Sequence, residues 1–341
     1  MRTPFYGIHK KRGARFTSFH GWEMPLQFSG IVEEVRAVRE RAGVFDISHM
    51  GRILVKGKGA LERLNRLVTN NLMKLSPGKV QYNLFTNEKG GVRDDVTVYM
   101  ISEEELFICT NAVNREKIRA YLSEHLETED LSPSTVQIAL QGRESEEILS
   151  RFFEVRDIKY YRFKTFGRVI ISRTGYTGED GFEIYAPLKE GVEIYEGLLE
   201  YAEPCGLGAR DVLRIEAGLP LYGNEISEEI TPLEANLERF VDLSKEFIGK
   251  EEMLRKPLRR KLFGLELEER GVPRKGYRIL RGGAEIGVVS SGTYSPTLGK
   301  GVALCFVNTD SRKEGLEVDL EVRGKLLRAR LRPYPFVRGR G

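Results

Sequence analysis

The chain of 341 residues is 40% hydrophobic, which is enough to bury a core and argues against wholesale disorder. Its formal net charge is only +4, which argues against a dedicated duplex-binding protein, so no nucleic-acid partner is expected. No apolar run approaches the ~18 residues that a membrane span needs, and the N-terminus lacks the apolar stretch of a signal peptide, so we expect a cytoplasmic protein without a membrane partner.

Helix and strand patterns alternate through the first two thirds of the chain. Apolar residues recur at helical spacing over 29–43, where Gly43 ends the pattern. After a turn at 87–91, residues 92–99 alternate between apolar and polar, as a strand requires. Further helices are predicted over 60–72, 144–153, 190–203 and 209–217 and around Ile118, and further strands over 52–56, 106–110, 136–140, 168–172 and 182–185.

The last third of the chain changes character. A basic stretch over 255–261 is typical of a linker, and beyond it the patterns predict only short strands separated by turns. Their regular spacing favours a small β-barrel or sandwich. The fold class is therefore α+β, with an α+β body over 1–255 and an all-β domain over 256–341. The predicted strands of that domain cover 262–267, 285–290, 302–307, 318–322 and 326–331.

Common motifs of nucleotide-binding and hydrolytic enzymes are missing. There is no GxxxxGK[ST] phosphate loop, no GxGxxG after a strand and no GxSxG elbow. The three cysteines form no CxxC pair and the four histidines show no metal-ligand spacing, so no metal site is expected. The residue patterns alone indicate a globular α+β protein with an internal ligand site.

A series of ordered motifs goes further. Gly-Trp-Glu-Met-Pro stands at 21–25, Gly-Val-Phe-Asp-Ile-Ser-His-Met-Gly at 43–51, and Arg-Thr-Gly-Tyr-Thr-Gly-Glu-Asp-Gly-Phe-Glu at 173–183. In this order and spacing the motifs resemble the glycine cleavage T-protein family, and the resemblance runs from Thr3 to Arg338. Further matching segments stand at 90–95, 206–211, 221–224, 247–250, 290–292 and 295–298.

The resemblance implies both a function and a fold. A T protein takes the aminomethyl group carried on the lipoyl arm of H protein and transfers its methylene to tetrahydrofolate. The products are 5,10-methylenetetrahydrofolate and ammonia. The implied partner is therefore lipoylated H protein, and the implied one-carbon acceptor is tetrahydrofolate or a related reduced pterin. The implied fold has three domains around a central folate-binding channel, namely two interleaved α+β subdomains in the body and a C-terminal β-barrel.

Asp95 is the residue expected to carry the chemistry. The resemblance implies that the second aspartate of its pair lies close to the folate nitrogen N10. On the predicted strand, Asp95 shares a face with Thr97 and lies opposite Val96, away from the apolar layer. A carboxylate there can orient the aryl-amine N–H and stabilise cationic character during attack, whereas a role as base requires burial to raise its pKa. For Asp94 we expect a structural role, capping the turn at 90–91.

Glu183 and Arg210 are the expected pterin-binding residues. A reduced pterin presents a 2-amino group beside a ring N–H, and these parallel donors match the two oxygens of one carboxylate. Glu183 alternates with Phe182 and Ile184, so it is predicted to face away from the core side of its strand. Arg210 can bond the acceptor edge of the ring or hold Glu183 in place. The alternative for the two residues is a structural salt bridge.

Aromatic and smaller side chains complete the expected site. The resemblance puts Tyr82, Tyr161 and Tyr176 at aromatic positions around the cofactor, where ring faces stack on a pterin or benzoyl ring. Core packing is the alternative for each tyrosine. Asn111 belongs to a stretch similar to a channel-lining segment, with a turn or helix-cap role as the alternative. Met50 is expected to pack beside the cofactor.

Three positions depart from the family pattern. Asn236 and Arg239 stand where the family usually has Gly and Trp, and His20 replaces a small residue. These changes leave the transfer residues intact but alter the expected channel wall, and they leave open whether the pterin is folate or a modified analogue. His49 is expected to be a structural histidine with satisfied hydrogen bonds.

Two other activities are compatible with the superfamily. A stand-alone folate-dependent demethylase is one alternative, because a changed channel could accept a different methyl donor. The second is a non-enzymatic folate-binding factor for iron–sulfur proteins, a branch that carries Lys-Gly-Cys-Tyr-x-Gly-Gln-Glu. Residues 245–251 of this chain read Lys-Glu-Phe-Ile-Gly-Lys-Glu, without the cysteine. The aminomethyltransferase therefore ranks first.

A swinging lipoyl arm requires a channel that is open at two ends. The H-protein surface is commonly acidic, as the resemblance implies. A cationic rim on this chain would therefore speed its encounter with H protein, and salt would screen the attraction between them. The basic stretch at 255–261 and a tail with Arg338 and Arg340 are the expected rim. The alternative is that these basic residues only keep a linker and the chain terminus in contact with water.

Overall fold

Helices and strands alternate as far as Arg255, and strands dominate the described residues beyond it. The computed structural model describes residues 1–339, so Arg340 of the basic tail lies outside the described residues. The α-helices are α1 (Tyr6–Lys11), α2 (Ile31–Glu40), α3 (Ala60–Leu67), α4 (Arg115–Ser123), α5 (Ser145–Leu149), α6 (Leu188–Leu198), α7 (Leu207–Glu216) and α8 (Lys250–Arg255). The strands of the body are β1 (Arg15–Phe19), β2 (Trp22–Gln27), β3 (Gly43–Asp46), β4 (Gly51–Lys56), β5 (Val80–Thr86), β6 (Val92–Ser102), β7 (Glu105–Thr110), β8 (Glu127–Asp130), β9 (Thr135–Gln141), β10 (Phe163–Phe166), β11 (Val169–Ser172), β12 (Gly181–Pro187) and β13 (Glu203–Cys205). Those of the last third are β14 (Arg260–Leu267), β15 (Arg278–Arg281), β16 (Ala284–Ser295), β17 (Lys300–Asn308), β18 (Glu317–Val322) and β19 (Lys325–Arg332).

Two sheets and a hairpin form the body. The first sheet has strand order β5-β6-β7-β4-β8, the second has order β10-β11-β12-β9-β3-β13, and β1 pairs with β2. Leu64 of α3 and Ile118 of α4 share a buried core with Val96 and Val98 on one face of β6. Because side chains alternate along a strand, Asp95 is left on the opposite face of β6.

The last third closes into a barrel rather than a sandwich. Its six strands follow the order β14-β17-β16-β15-β18-β19, and the ends of the sheet meet where β14 pairs with β19. Leu265, Cys305 and Leu331 are fully buried inside it. The prediction of an α+β fold with an all-β C-terminal region is therefore confirmed.

Helix α7 ties the body to the barrel through a buried ion pair. Arg214 on α7 is 1% exposed, and its Nη1 donates to Oε2 of the buried Glu225 at 2.9 Å. Its Nη2 donates to Ser291 Oγ on β16 at 2.7 Å, while Ser290 Oγ donates to Glu225 Oε1 at 2.6 Å. Removing one partner of a buried pair typically costs about 3–5 kcal/mol. Helix α7, which carries Arg210 one turn earlier, is therefore held firmly against the barrel.

Several predicted element bounds are wrong. The helix expected over 144–153 ends at Leu149, because the amides of Arg151 and Phe152 bond carbonyls three residues back in tighter turns. The linker expected over 255–261 is shorter, because α8 ends at Arg255 and β14 begins at Arg260. The helix expected over 60–72 ends at Leu67, where the chain becomes extended.

Candidate active site

The residues predicted to form the site meet at one large cavity. Side chains from β1, β6, β12 and α7 line it, together with the segments 218–222 and 235–240, and its volume is about 1630 Å³. The predicted site residues, which lie up to 160 positions apart in the chain, therefore converge on a single space. All eight predicted site residues line the cavity, namely Met50, Tyr82, Asp95, Asn111, Tyr161, Tyr176, Glu183 and Arg210.

One wall carries a carboxylate cluster, which consists of Tyr82, Asp94, Asp95, Asn111 and Asn114, and of which Tyr82, Asp95 and Asn111 line the cavity. Tyr82 Oη donates to Asp95 Oδ2 at 2.8 Å. Asn111 Nδ2 lies 2.7 Å from Asp95 Oδ1 and 2.9 Å from Asp94 Oδ1, so this amide bridges the two carboxylates. Asn114 Nδ2 donates to Asp94 Oδ1 at 2.6 Å, and the Asn111 N–H donates to Asp94 Oδ2 at 3.1 Å. Every carboxylate oxygen of the cluster thus has a protein donor.

The two carboxylates differ in how firmly they hold a proton. Burial, together with the neighbouring Asp95 charge, raises the pKa of Asp94 to about 8. Burial also raises the pKa of Asp95, and hydrogen bonds from Tyr82 and Asn111 oppose that rise. Because the Asp95 charge is among the causes that raise the pKa of Asp94, ionisation of Asp95 before Asp94 is the favoured order in this pair.

The expected turn-capping role of Asp94 is wrong. Asp94 is fully buried and its oxygens are taken by Asn111 and Asn114. The turn is capped instead by Asn87, whose Oδ1 accepts from the backbone N–H groups of Lys89 and Gly91 at 3.0 Å each. The helix-cap alternative for Asn111 is also wrong, because its side chain makes no capping bond to the short 3₁₀ turn that follows it.

A second wall carries the Arg210 cluster, which consists of His49, Thr174, Tyr176, Glu183 and Arg210. Glu183 on β12 is 9% exposed, and its Oε2 accepts from Thr174 Oγ1 at 2.5 Å. Burial raises the pKa of Glu183, while the Thr174 bond and the Arg210 charge oppose the rise. The carboxylate is therefore largely buried, and a carboxylate with two oxygens can still accept from further donors.

Arg210 is the least satisfied member of that cluster. Its guanidinium carbon lies 4.7 Å from the centre of the Tyr176 ring, and its Nη1 is enclosed without a hydrogen-bond partner. Burial lowers the pKa of Arg210, and the Glu183 charge opposes that change. Among the described residues, Arg210 and Glu183 form no ion pair within 4.0 Å, so a structural salt bridge does not describe the arrangement.

The three predicted tyrosines are held in place by the protein. The Tyr82 ring packs 4.6 Å from the Phe240 ring, the Tyr176 hydroxyl donates to the Pro220 carbonyl, and the Tyr161 ring lies 4.9 Å from that of Tyr160. Met50 packs against the edges of two buried clusters. Contacts within the protein therefore fix the positions of these side chains along the cavity.

Part of the site was not predicted from the sequence. His49 lines the cavity, and its Nδ1 is buried without a partner, so the expectation of a satisfied structural histidine is wrong. Asn114 was missed as the second amide on Asp94, although its position three residues after Asn111 was a signal that both could face one carboxylate. The residues that depart from the family pattern also line the cavity, namely His20, Asn236 and Arg239.

Residues 1–339 carry neither a metal-binding cluster nor a helix able to span a membrane. In that range no group of three or more His, Cys, Asp and Glu side chains is arranged to hold a metal ion. None of the described helices is both long and apolar enough to cross a membrane.

Comparison with known proteins defines the class. Residues 5–245 match the family model of the GCVT N-terminal domain, and residues 260–338 match that of the glycine cleavage T-protein C-terminal barrel domain. An N-terminal body followed by a C-terminal barrel is thus shared with that class.

Individual relatives agree along the whole chain. An aminomethyltransferase of Aquifex aeolicus is 66% identical over 338 residues, covering 99% of this chain and 96% of that protein. One of Geobacillus kaustophilus is 44% identical, covering 99% and 98%. The crystal structure of glycine cleavage system aminomethyltransferase T from Bartonella henselae superposes with a TM-score of 0.95 at 34% identity, covering 99% and 98%. The chain belongs to the glycine cleavage T-protein family of aminomethyltransferases.

Proposed function

We propose that this chain transfers the methylene of an aminomethyl group, carried on a lipoylated H protein, to tetrahydrofolate, and that ammonia is released. The observation that carries the proposal is the pairing of two different walls in one cavity. One holds a fully hydrogen-bonded Asp95, and the other holds the buried Glu183 beside an Arg210 that lacks a partner. An aminomethyl transfer needs both a positioned charge and a pterin site.

Asp95 is assigned the chemical role. As the ionised member of its pair, it offers a negative charge that Tyr82 and Asn111 hold in a fixed direction. Such a charge can orient the aryl-amine N–H and stabilise positive charge that develops as the nitrogen attacks. Its raised pKa also makes it a better proton acceptor than an exposed aspartate.

Glu183 and Arg210 are assigned to pterin recognition. The 2-amino group and the adjacent ring N–H of a reduced pterin are two parallel donors, and a carboxylate with free acceptor capacity matches them. Arg210 has an enclosed donor without a protein partner, which fits the carbonyl of the same ring. Tyr82, Tyr161 and Tyr176 offer ring surfaces for stacking, and Met50 and Asn111 complete the lining.

The lipoylated partner, the cytoplasmic location and the division into a body (1–255) and a barrel domain (256–341) belong to the same proposal. For the docking surface, the basic stretch at 255–261 is a weak candidate. Arg260 Nε donates to Glu234 Oε1 at 3.0 Å, and Lys261 Nζ donates to Glu238 Oε1 at 2.6 Å. Cations that are already paired contribute little to long-range attraction.

The test is a reconstitution with purified protein and aminomethylated H protein. We expect ammonia to be released in proportion to added tetrahydrofolate, with no release when the H protein is unmodified. Release of ammonia at the same rate without tetrahydrofolate would contradict the proposal. Turnover of a free methylated amine, with no turnover of aminomethylated H protein, would favour the demethylase instead.

A further inference from the structure

The carboxylate assigned to the pterin, Glu183, is held by a buried threonine. Thr174 is 4% exposed and lines the cavity, and its Oγ1 donates to Glu183 Oε2 at 2.5 Å. The same oxygen lies 2.7 Å from Ser172 Oγ, so Thr174 has a polar neighbour on either side. A hydroxyl carries only one hydrogen. When Glu183 is ionised, the hydrogen of Thr174 goes to the carboxylate, and Thr174 accepts from Ser172.

Hydrogen bonds continue behind Ser172. Tyr99 Oη lies 3.3 Å from Ser172 Oγ and 2.8 Å from Tyr185 Oη, and Gln137 Nε2 donates to Tyr185 Oη at 3.2 Å. These four residues are buried and do not line the cavity. A hydroxyl chain, which consists of Tyr185, Tyr99, Ser172 and Thr174, therefore runs from the Gln137 amide to the Glu183 carboxylate.

The two ends of the hydroxyl chain set the same direction. The Gln137 amide nitrogen can only donate, and an ionised Glu183 can only accept. Each hydroxyl between them therefore accepts from the side of Gln137 and donates towards Glu183. Ser172 has one other acceptor, the Glu183 carbonyl, but that oxygen is at 3.4 Å, against 2.7 Å for Thr174 Oγ1. Hydrogen bonds aligned in one direction polarise one another, so the chain strengthens the bond that the carboxylate receives.

The hydroxyl chain also joins the two sheets of the body. Tyr99 lies on β6, on the same face as Asp95, whereas Ser172 lies on β11 and Glu183 on β12. We propose that Thr174 is a positioning residue for Glu183, and that the hydroxyl chain behind it fixes the direction in which it donates. This inference rests on the proposed function and adds the residues that aim the carboxylate at the pterin donors. The competing role for Thr174 is direct contact with the ligand, because it too lines the cavity.

The test measures the dissociation constant of tetrahydrofolate by titration calorimetry. Thr174→Val keeps the shape of the side chain but removes its hydroxyl, and we expect it to weaken binding by about 3–10-fold. Thr174→Ser, which keeps the hydroxyl, should recover most of the affinity. Tyr99→Phe, which changes no residue of the cavity lining, should still weaken binding by about twofold. The control is Thr293→Val, which removes a hydroxyl from a buried threonine of the barrel and should change nothing.

A double-mutant cycle separates positioning from direct contact. In a Glu183→Ala background no carboxylate remains to be positioned, so Thr174→Val should change the dissociation constant by less than about twofold. An equal loss in both backgrounds would show that Thr174 contacts the ligand itself, and would overturn the inference.

Two other results would overturn it, namely unchanged binding in a folded Thr174→Val protein and an equal loss of affinity in Thr174→Ser. If Thr174→Val does not fold, Tyr99→Phe decides, because an unchanged dissociation constant in that variant would refute the role of the chain. A wild type that does not bind tetrahydrofolate would instead count against the proposed function.

Discussion

The two polar walls of the cavity differ in how far the protein satisfies them. In the carboxylate cluster all four oxygens of Asp94 and Asp95 accept hydrogen bonds from the protein. In the Arg210 cluster, Arg210 Nη1 and His49 Nδ1 are enclosed with no partner. A satisfied group keeps its direction whether or not a ligand is present, whereas an unsatisfied one gains most when a ligand supplies the missing bond.

The difference separates two tasks. The carboxylate cluster is built to hold a charge in place, which is what a rate-enhancing group needs. The Arg210 cluster has polar groups without hydrogen-bond partners, which a ligand can supply, and recognition requires such groups. Substitutions on the first wall should therefore slow transfer at saturating tetrahydrofolate, and substitutions on the second should weaken its binding.

The largest effect is expected at Asp95. Asp95→Asn should lower the rate of transfer by at least ~100-fold while leaving tetrahydrofolate binding nearly unchanged, because the positioned charge is lost but the ring contacts are not. Steady-state turnover and calorimetry on the same preparation check both parts. Asp157→Asn, which removes an exposed carboxylate, is the control. Normal turnover in a correctly folded Asp95→Asn protein would remove Asp95 from the chemistry.

The second-largest effect is expected at Glu183, on the affinity for tetrahydrofolate. Glu183→Gln should weaken tetrahydrofolate binding by about 1.5–3 kcal/mol, because the amide accepts at only one oxygen and its NH₂ opposes a pterin donor. Calorimetry measures it directly. Glu266→Gln is a matched control, since Glu266 forms ion pairs with Lys300 and Arg332 on the barrel, away from the cavity. An unchanged dissociation constant for Glu183→Gln would leave Glu183 with a purely structural role.

A smaller effect is expected at the bridge between the carboxylates. Asn111→Ala removes the amide that contacts both Asp94 and Asp95, so the Asp95 charge should be less well oriented and turnover should fall about 10-fold. Binding of tetrahydrofolate should change by less than about twofold. Asn71→Ala, at a surface turn, serves as the comparison. A larger loss in affinity than in turnover would assign Asn111 to recognition.

The proton on Asp94 gives a pH-dependent stability. Its folded pKa of about 8 lies above the ordinary aspartate value of 3.8, so between these values the folded state binds more protons than the unfolded state. Stability should therefore fall as pH rises, by at most about 1.4 kcal/mol per unit for one group. Denaturant unfolding between pH 6.5 and 8 should show a decline in wild type that is absent in Asp94→Asn. Parallel curves for the two proteins would show that Asp94 is already ionised in the folded state.

The smallest effect is expected outside both walls. Neutralising Arg259, Arg260 and Lys261 together should reduce turnover at subsaturating H protein by about twofold or less, because two of the three are already paired with glutamates. A series of salt concentrations checks whether the small loss disappears on screening. A steep loss at low salt would instead make this stretch a docking surface.

The sequence predicts one wall better than the other. The alternation of 92–99 correctly puts Asp95 opposite Val96 and Val98, because a strand with one buried face carries that pattern. The role of Asp94 was not predictable, because it depends on Asn111 and Asn114, which approach from a turn after the next strand. Likewise the separation of Glu183 from Arg210 depends on how β12 and α7 pack.

Short strands that are fully buried were also not predictable from the sequence. Strand β3 is buried at all four of its positions, so it lacks the alternation that reveals a strand with one exposed face. Strand β3 is accordingly absent from the strands predicted from the sequence. Long, one-sided elements and turn residues are thus encoded locally, while the partners of buried polar groups are decided by the packing of distant segments.

The most direct test of the two-wall account is a single-turnover experiment with aminomethylated H protein. Wild type, Asp95→Asn and Glu183→Gln would be compared over a tetrahydrofolate series that reaches saturation. The account predicts that Glu183→Gln approaches the wild-type rate at saturation with a raised half-saturating concentration, while Asp95→Asn stays at least ~100-fold slower with that concentration unchanged. A saturated rate that falls equally in both variants would contradict the division of the cavity into a reacting wall and a recognising wall.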